Sequence, residues 1–381
     1  MDDKYLDVSK TYYVNINDEN MKSNDKEWDN FLKEHPYIVT DIASVSDYLR
    51  AILLILSNLY ILRVKGVDDI RKYEDLFSIN GDDSLNGEVR KDGLFFRGEN
   101  KEYNYQIPGL FRKYSWIKNE KEIIDRNREF TPERLQNNSI FDNLTLIQHY
   151  GGSTRILDIS SNALIALFFA VSGNFEENGY VYLLSAKDHK IESPDSLSVT
   201  IKAAISELTS EQKNFLAKNL YSKKDSEEEV RKVIQDDGLD AVDTLYSLVQ
   251  RSMNSSNIKI RVKDMFGLEF VQPYRFDNRI IQQSGAFIIL GLEQFIEINS
   301  EKMIVEKIQK ECSDQIHKLG LVYDPEVFIG LGSSPGTARI KIAAQYKNKI
   351  LSELELLGIN ESTVYPDMQH KAQKINEDLS Y

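Results

Sequence analysis

The chain has 381 residues, of which 41% are hydrophobic and 28% are charged. These values are those of an ordinary globular protein and exclude wholesale disorder, and the length fits one large domain with insertions or two modest ones. The 47 basic and 60 acidic residues give a net charge of −13. Extended nucleic-acid binding is therefore not expected, because the phosphate backbone is itself negative.

The chain contains one cysteine, Cys312, and five histidines that lie far apart in the sequence. A lone thiol forms no internal disulfide and fits a reducing compartment, and dispersed histidines do not form a zinc motif. The N-terminal residues are acidic where a signal peptide would be basic, and the most apolar stretch, 51–62, is interrupted by polar residues. We therefore expect a cytoplasmic protein that has no membrane span and binds no metal.

The first 39 residues are polar and predict an irregular N-terminal arm, followed by a folded domain over residues 40–381. From Ile42 the apolar positions recur at helical spacing, which predicts a helix with one buried face. The next strong signal is the apolar segment 94–96, which predicts a short buried strand that is ended by Arg97-Gly98.

Further along, residues 154–159 predict a strand, and residues 163–171 predict a helix that is apolar all round and therefore belongs inside the core. The other strand candidates are short runs of β-branched or aromatic residues at 180–184, 287–290 and 327–329.

A mixed-charge segment at about 190–260 predicts a helical insertion that packs on the sheet without adding strands to it. The glycine run 330–336 lacks a phosphate-loop pattern and predicts a structural turn. It leads into a predicted helix that includes Ile340 and ends at Gly358, a left-handed C-cap followed by Ile359. Strands scattered among helices of unequal length favour an α+β fold.

Three polar clusters flank the predicted strands. In the first, Arg97 offers a planar fork to a phosphate, and Gly98 lets a ligand approach the backbone. Alternatively, Arg97 closes a structural ion pair.

The second cluster, 148–155, places an amide, an imidazole, a phenol, two glycines and a guanidinium directly before a buried strand that carries Asp158. This density indicates a site, although His149 could equally be a buried histidine with satisfied hydrogen bonds, and Arg155 could pair with Asp158. The third cluster runs from Arg279 to Gly285, where Gln283 could instead fix backbone groups.

The order of these motifs resembles that of the FRG domain over about residues 43–376. The resemblance rests on Phe96-Arg97-Gly98, on Gln148-His149-Tyr150-Gly151 with the following 154–158 segment, on the apolar 166–170 segment, on an acidic helix position near Glu122, and on 279–287. FRG domains occur in bacterial and phage proteins and are discussed near toxin–antitoxin and phage-defence systems, so the resemblance implies such a context here.

The Arg-Gly pair is also similar to the first NAD-binding strand of arginine-type ADP-ribosyltransferases. That similarity implies a central mixed or split β-sheet flanked by helices, NAD as the cofactor, and ADP-ribosyl transfer or NAD cleavage as the activity. The residues then expected to bind NAD are Arg97, Gly98, Gln148, Tyr150, Thr154, Arg155 and Arg279.

Loss of nicotinamide leaves a positively charged sugar, so catalysis needs a nearby carboxylate. Where those enzymes carry a glutamate, this chain has Gln283 and Ser284. The candidates for catalysis are therefore Glu99, Glu122 or Asp158 as the carboxylate, His149 as an acid or base, and Gln283.

Two alternatives stay open. The chain could be a binding module in which Arg97, Arg112, Arg155 and Arg279 sense a nucleotide or an RNA end without turnover. It could also be an interaction protein whose insertion docks a basic protein partner, for example within a toxin–antitoxin pair.

Overall fold

A computed structural model describes the chain over residues 6–7, 38–40, 42–49, 51–52, 93–103, 106–135, 139–186, 190–234, 239–274, 278–292, 301–317 and 339–366. The predicted strand at 327–329, the glycine run 330–336 and the arm, apart from residues 6–7 and 38–39, lie outside these ranges.

The strands, in chain order, are β1 Leu6–Asp7, β2 Ile38–Thr40, β3 Leu94–Glu99, β4 Ile156–Ser160, β5 Gly179–Ser185, β6 Ile191–Glu192, β7 Leu268–Val271, β8 Gly285–Leu290 and β9 Arg339–Ile342. The helices are α1 Tyr114–Lys118, α2 Glu120–Phe130, α3 Pro132–Leu135, α4 Ile140–His149, α5 Ala163–Val171, α6 Leu197–Ile205, α7 Ser210–Leu220, α8 Val230–Val233, α9 Leu239–Met253, α10 Asn278–Gln282, α11 Glu301–His317, α12 Lys347–Leu356 and α13 Glu361–Val364. The fold is α+β, as predicted.

The chain divides into two compact units: unit 1 comprises residues 1–102, 161–187 and 317–381, and unit 2 comprises residues 103–160 and 188–316. The predicted division at residue 40 stays a prediction, as does the resemblance of the sheet to the ADP-ribosyltransferase fold.

In unit 1 the strand order is β1-β2-β9-β5-β3, with the first two pairings parallel and the last two antiparallel. Helix α5 packs on this sheet with most of its side chains buried, which confirms the predicted core helix. The side chain of Asn162 accepts a hydrogen bond from the Leu164 amide at 2.9 Å and caps the helix start.

Two predictions of element bounds in unit 1 were wrong. Strand β3 does not end at Arg97; it continues to Glu99, because Gly98 and Glu99 pair with Val181 and Tyr180 on β5. Ile340 lies on a strand, since β9 pairs with both β2 and β5, and the helix begins only at Lys347.

The end of α12 confirms the predicted C-cap. Gly358 has a φ of 79°, and the amide of Ile359 donates to the Leu354 carbonyl at 2.9 Å. This geometry turns the chain back over the helix, and Leu354 is fully buried.

In unit 2 the strand order is β4-β8-β7-β6, and only the β7–β6 pairing is parallel. Helices α4 and α6 share a core with β4 and β8, while α6, α7 and α9 share a second core with the 260–266 segment. The predicted insertion is largely helical, but it adds one strand, the two-residue β6. Among the helices described in both units, none is long and apolar enough to cross a membrane.

Candidate functional site

Helix α4 ends in a Schellman motif that presents the polar segment after it. The amide of Gly151 donates to the Gln148 carbonyl at 2.9 Å, the amide of Gly152 donates to the Ile147 carbonyl at 2.8 Å, and Gly151 has a φ of 87°. The glycines of the second sequence cluster therefore stop the helix, and they leave Tyr150 62% exposed at its end.

Three side chains beside this helix end form a hydrogen-bonded chain. The buried hydroxyl of Thr154 donates to Oε1 of Gln148. Nε2 of Gln148 donates in turn to Oδ2 of Asp158 at 2.7 Å. The Gln148 amide thus fixes the Asp158 carboxylate, and the buried Thr154 hydroxyl fixes the amide.

Asp158 is the exposed side chain of β4. Side chains alternate along a strand, so Ile156, Asp158 and Ser160 share one face. Ile156 and Ser160 are 0% and 4% exposed, whereas Asp158 is exposed. Its cross-strand partner, Phe287, is buried and places an apolar wall beside the carboxylate. An exposed carboxylate within an otherwise covered strand is accessible to a ligand.

Tyr150 extends the polar patch at the end of α4. The centre of its ring lies 5.1 Å from the guanidinium carbon of Arg134. Nη1 of Arg134 also donates a hydrogen bond to the Tyr150 hydroxyl. The ring of His149 lies 4.6 Å from that of Tyr150, and Arg279 donates to the His149 carbonyl at 2.9 Å. This arrangement offers an exposed aromatic face with a cation beside it.

Arg155 points into the interior of unit 2. Its Nε and Nη2 donate to the two carboxylate oxygens of Glu120 at 2.7 and 2.5 Å, and its Nη1 donates to the carbonyls of Leu290 and Gly291. Only 3% of Arg155 is exposed. The guanidinium therefore fixes the entry to β4, and its predicted role in cofactor binding stays a prediction.

Glu120 also accepts a hydrogen bond from Nζ of Lys213 at 2.6 Å, so one buried carboxylate serves two cations. Burial alone would raise the pKa of Glu120, but Arg155 and Lys213 outweigh burial and hold that pKa at about 2. Burial, together with the neighbouring Arg155, lowers the pKa of Lys213 to about 8, although Glu120 opposes that shift.

In unit 1, Arg97 donates to Oε1 of Glu99 at 3.1 Å, and Glu99 is 5% exposed. A Cβ atom at Gly98 would lie 1.8 Å from the carbonyl oxygen of Ala166 on α5. The absence of a side chain at Gly98 thus lets α5 pack on β3, a reason that the sequence alone did not reveal. Ligand binding by Arg97 and Gly98 stays a prediction.

The remaining candidates occupy different positions. Glu122 lies on α2 with its side chain 53% exposed and pairs with Arg126 one turn away. The main-chain carbonyl of Gln283 accepts a hydrogen bond from the Ser160 hydroxyl at 2.7 Å. Ser284 has a φ of 46° in the turn before β8, which is a strained conformation for a residue other than glycine.

The structure brings the Gln148–Tyr150 segment, Thr154, Asp158 and Arg279 into one connected patch in unit 2. Sequence reasoning missed Arg134, Glu120 and Lys213, because no local pattern indicates their partners. Within the described ranges, no group of three or more His, Cys, Asp or Glu side chains could hold a metal ion.

Comparison with known proteins gives one family match. The model described as FRG domain matches residues 92–179, which include β3, α1–α4, β4 and α5. No curated protein and no solved structure was found to match the chain. The matched range contains Phe96-Arg97-Gly98 and the whole 148–158 segment, two of the motifs that carry the sequence resemblance, whereas the 279–287 segment and the rest of the predicted range 43–376 lie outside it. Residues 92–179 of this chain are therefore an FRG domain.

Proposed function

We propose that this protein cleaves the nicotinamide–ribose bond of NAD, with Asp158 as the catalytic carboxylate. The observation that supports this function best is the exposed Asp158 carboxylate, held by Gln148 at 2.7 Å and set beside the apolar Phe287. A fixed carboxylate next to an apolar wall stabilises positive charge better than one in bulk water.

The reaction breaks the bond between C1′ of the ribose and N1 of nicotinamide, and the bonding electron pair leaves with neutral nicotinamide. The sugar becomes an oxocarbenium-like cation, which the Asp158 carboxylate stabilises. Water then attacks C1′ and releases one proton, so that the products are ADP-ribose, nicotinamide and a proton. ADP-ribosyl transfer follows the same course with another nucleophile in place of water.

The other carboxylates are less suited to this role. Glu99 is buried and bonded to Arg97, and Glu122 lies on an exposed helix face with its own cation. Gln283 is neutral and cannot balance positive charge. Asp158 alone among these four side chains combines a negative charge with exposure and a fixed position.

The neighbouring groups fit a dinucleotide. Tyr150 presents a ring for stacking on the nicotinamide or adenine, and Arg134 and Arg279 place positive charge beside it for the pyrophosphate. His149 is the proposed proton carrier near the attacking nucleophile. Within the FRG family this activity suits an effector in a toxin–antitoxin or phage-defence system, and that context is part of the proposal.

The test incubates the purified full chain with NAD and follows nicotinamide release by chromatography. We expect release by the wild-type chain and a loss of at least a hundredfold in Asp158→Asn, since the loss of one preorganised charge typically costs about 3 kcal/mol in the barrier. The matched control is Asp243→Asn, which removes an exposed carboxylate from α9. Equal nicotinamide release by Asp158→Asn and wild type would refute the catalytic role of Asp158. An NAD peak that the wild-type chain leaves unchanged at every pH tested would refute the NAD-cleaving activity.

A second candidate is a nucleotide-binding module without turnover. The exposed Tyr150 ring with Arg134 beside it supports binding of a base and a phosphate, and it does not require Asp158. Calorimetry separates the two functions. The binding module predicts that Asp158→Asn still binds NAD and that Tyr150→Ala does not. It also predicts that the wild-type chain releases no nicotinamide. Copurification of a protein partner in the absence of any nucleotide binding would favour the interaction protein instead.

A further inference from the structure

The side-chain amide of Gln148 joins a buried group to an exposed one. Its Oε1 accepts a hydrogen bond from the hydroxyl of Thr154, which is 2% exposed, and its Nε2 donates to the exposed Asp158. The two contacts are made by the oxygen and the nitrogen of one planar amide group. Any rotation of this amide therefore changes both contacts together.

Only one orientation of the amide suits an ionised carboxylate. If the amide flipped, Oε1 would face Oδ2 of Asp158 across the present 2.7 Å, and two oxygens that carry partial or full negative charge would repel each other. The Thr154 hydroxyl favours the observed orientation because it donates to Oε1 from the protein interior. A donor at this position thus selects the amide orientation that supports Asp158.

We propose that Thr154 is a positioning residue for Asp158 that acts through Gln148. This inference rests on the proposed function and deepens it, because it assigns to Thr154 a role that involves no contact with NAD. The buried Thr154 hydroxyl fixes the orientation of the Gln148 amide, and the amide fixes the position of the Asp158 carboxylate. The carboxylate in turn stabilises the positive charge that develops on the sugar. Gln148 then holds the Asp158 carboxylate in position throughout the reaction.

The distinguishing variants are Thr154→Val, which keeps the shape and removes the hydroxyl, and Thr154→Ser, which keeps the donor. Thr145→Val is the matched control, since Thr145 is an equally buried threonine on α4 whose hydroxyl donates to the Phe141 carbonyl. For Thr154→Val we expect a fall in kcat of about five- to tenfold with KM unchanged, the effect of losing one hydrogen bond in the transition state alone. Thr154→Ser should restore kcat, and Thr145→Val should retain it.

A measurement without NAD tests the same assignment. In the wild-type chain the Nε2 proton that Gln148 donates to Asp158 should give an exchange-protected NMR signal. Thr154→Val should lose this protection and Thr154→Ser should keep it. If the valine variant does not fold, Thr154→Ala serves the same comparison, since it introduces no new apolar contact.

The outcomes of the two measurements are separable. Unchanged Gln148 signals in Thr154→Val, or a change in KM instead of kcat, would overturn the positioning role even if NAD is cleaved. Conversely, the Gln148 signals could depend on Thr154 in a chain that releases no nicotinamide. That result would support the link between Thr154 and Gln148 and would refute the proposed NAD-cleaving activity.

Discussion

Replacement of Glu120 by glutamine should strongly destabilise unit 2. Glu120 is 2% exposed and is the shared partner of Arg155 and Lys213, with three donor–acceptor distances between 2.5 and 2.7 Å. The variant Glu120→Gln keeps the shape and removes the negative charge. Two buried cations then lie close together without the carboxylate charge that they share.

The magnitude follows from the electrostatics of the site. Loss of one member of a buried ion pair typically costs about 3–5 kcal/mol. The shift of the Glu120 pKa from its ordinary value of 4.5 to about 2 corresponds to about 3 kcal/mol of interaction with the charged form. Because the pKa of Lys213 is already lowered to about 8, this lysine can release its proton near neutral pH once Glu120 is gone. The loss should therefore lie at the lower end, at about 3 kcal/mol.

Urea denaturation followed by circular dichroism measures this loss. The matched control is Glu122→Gln on the same helix, which removes an exposed, one-turn ion pair and should cost no more than about 0.5 kcal/mol. In the Glu120→Gln background, Lys213→Met should recover at least about 1 kcal/mol, because it removes the uncompensated cation. Equal midpoints for the two glutamine variants would refute the reasoning, as would a double variant that is less stable than Glu120→Gln alone.

Two further predictions concern pH and backbone packing. The unfolded chain protonates Glu120 below its ordinary pKa of 4.5, whereas the folded chain stays ionised to about 2, so the stability from this group is present above pH 4.5 and is lost as the pH falls toward 2. The stability difference between wild type and Glu120→Gln should therefore shrink over that window in urea titrations, and a constant difference would contradict the assignment. Gly98→Ala should cost at least about 3 kcal/mol, because its Cβ atom would lie 1.8 Å from the Ala166 carbonyl oxygen, whereas Gly151→Ala, with a φ of 87° and open space around it, should cost about 1 kcal/mol. Thermal unfolding of both variants checks the order, and equal losses would show that α5 does not need the glycine.

The sequence predicted those elements whose signals are local. The run at 163–171 is apolar on every side, so its helix could only be buried. The Gly358-Ile359 pair is a local pattern that is typical of a helix C-cap. The strand assigned to Ile340 was missed because a short strand that pairs with β2 and β5 gains its stability from residues far away in the chain. Periodicity alone extended the following helix too far.

The candidate site divides in the same way. Gln148 and Asp158 are ten residues apart, and their cluster was recognisable because its polar density is local. By contrast, Lys213 is 93 residues from Glu120, and Arg155 is 35 residues from it. A single sequence carries no sign of which carboxylate a buried guanidinium will meet. Arg155 was therefore predicted to bind NAD, while Glu120 was passed over in favour of the exposed Glu122.

Structural and chemical roles separate within one short segment. Arg155 anchors the entry to β4 through Glu120 and through the carbonyl groups of Leu290 and Gly291, while Asp158, three residues later, is exposed and accepts a hydrogen bond from Gln148. Asp158→Asn should therefore leave the free energy of unfolding within about 0.5 kcal/mol of wild type while it lowers nicotinamide release at least a hundredfold, since an exposed side chain contributes little to the packed core. Glu120→Gln should show the opposite order, with a large loss of stability and undiminished activity per folded molecule. If both variants lost stability and activity in parallel, Asp158 would belong to the same structural network as Arg155, and the catalytic role would fail with it.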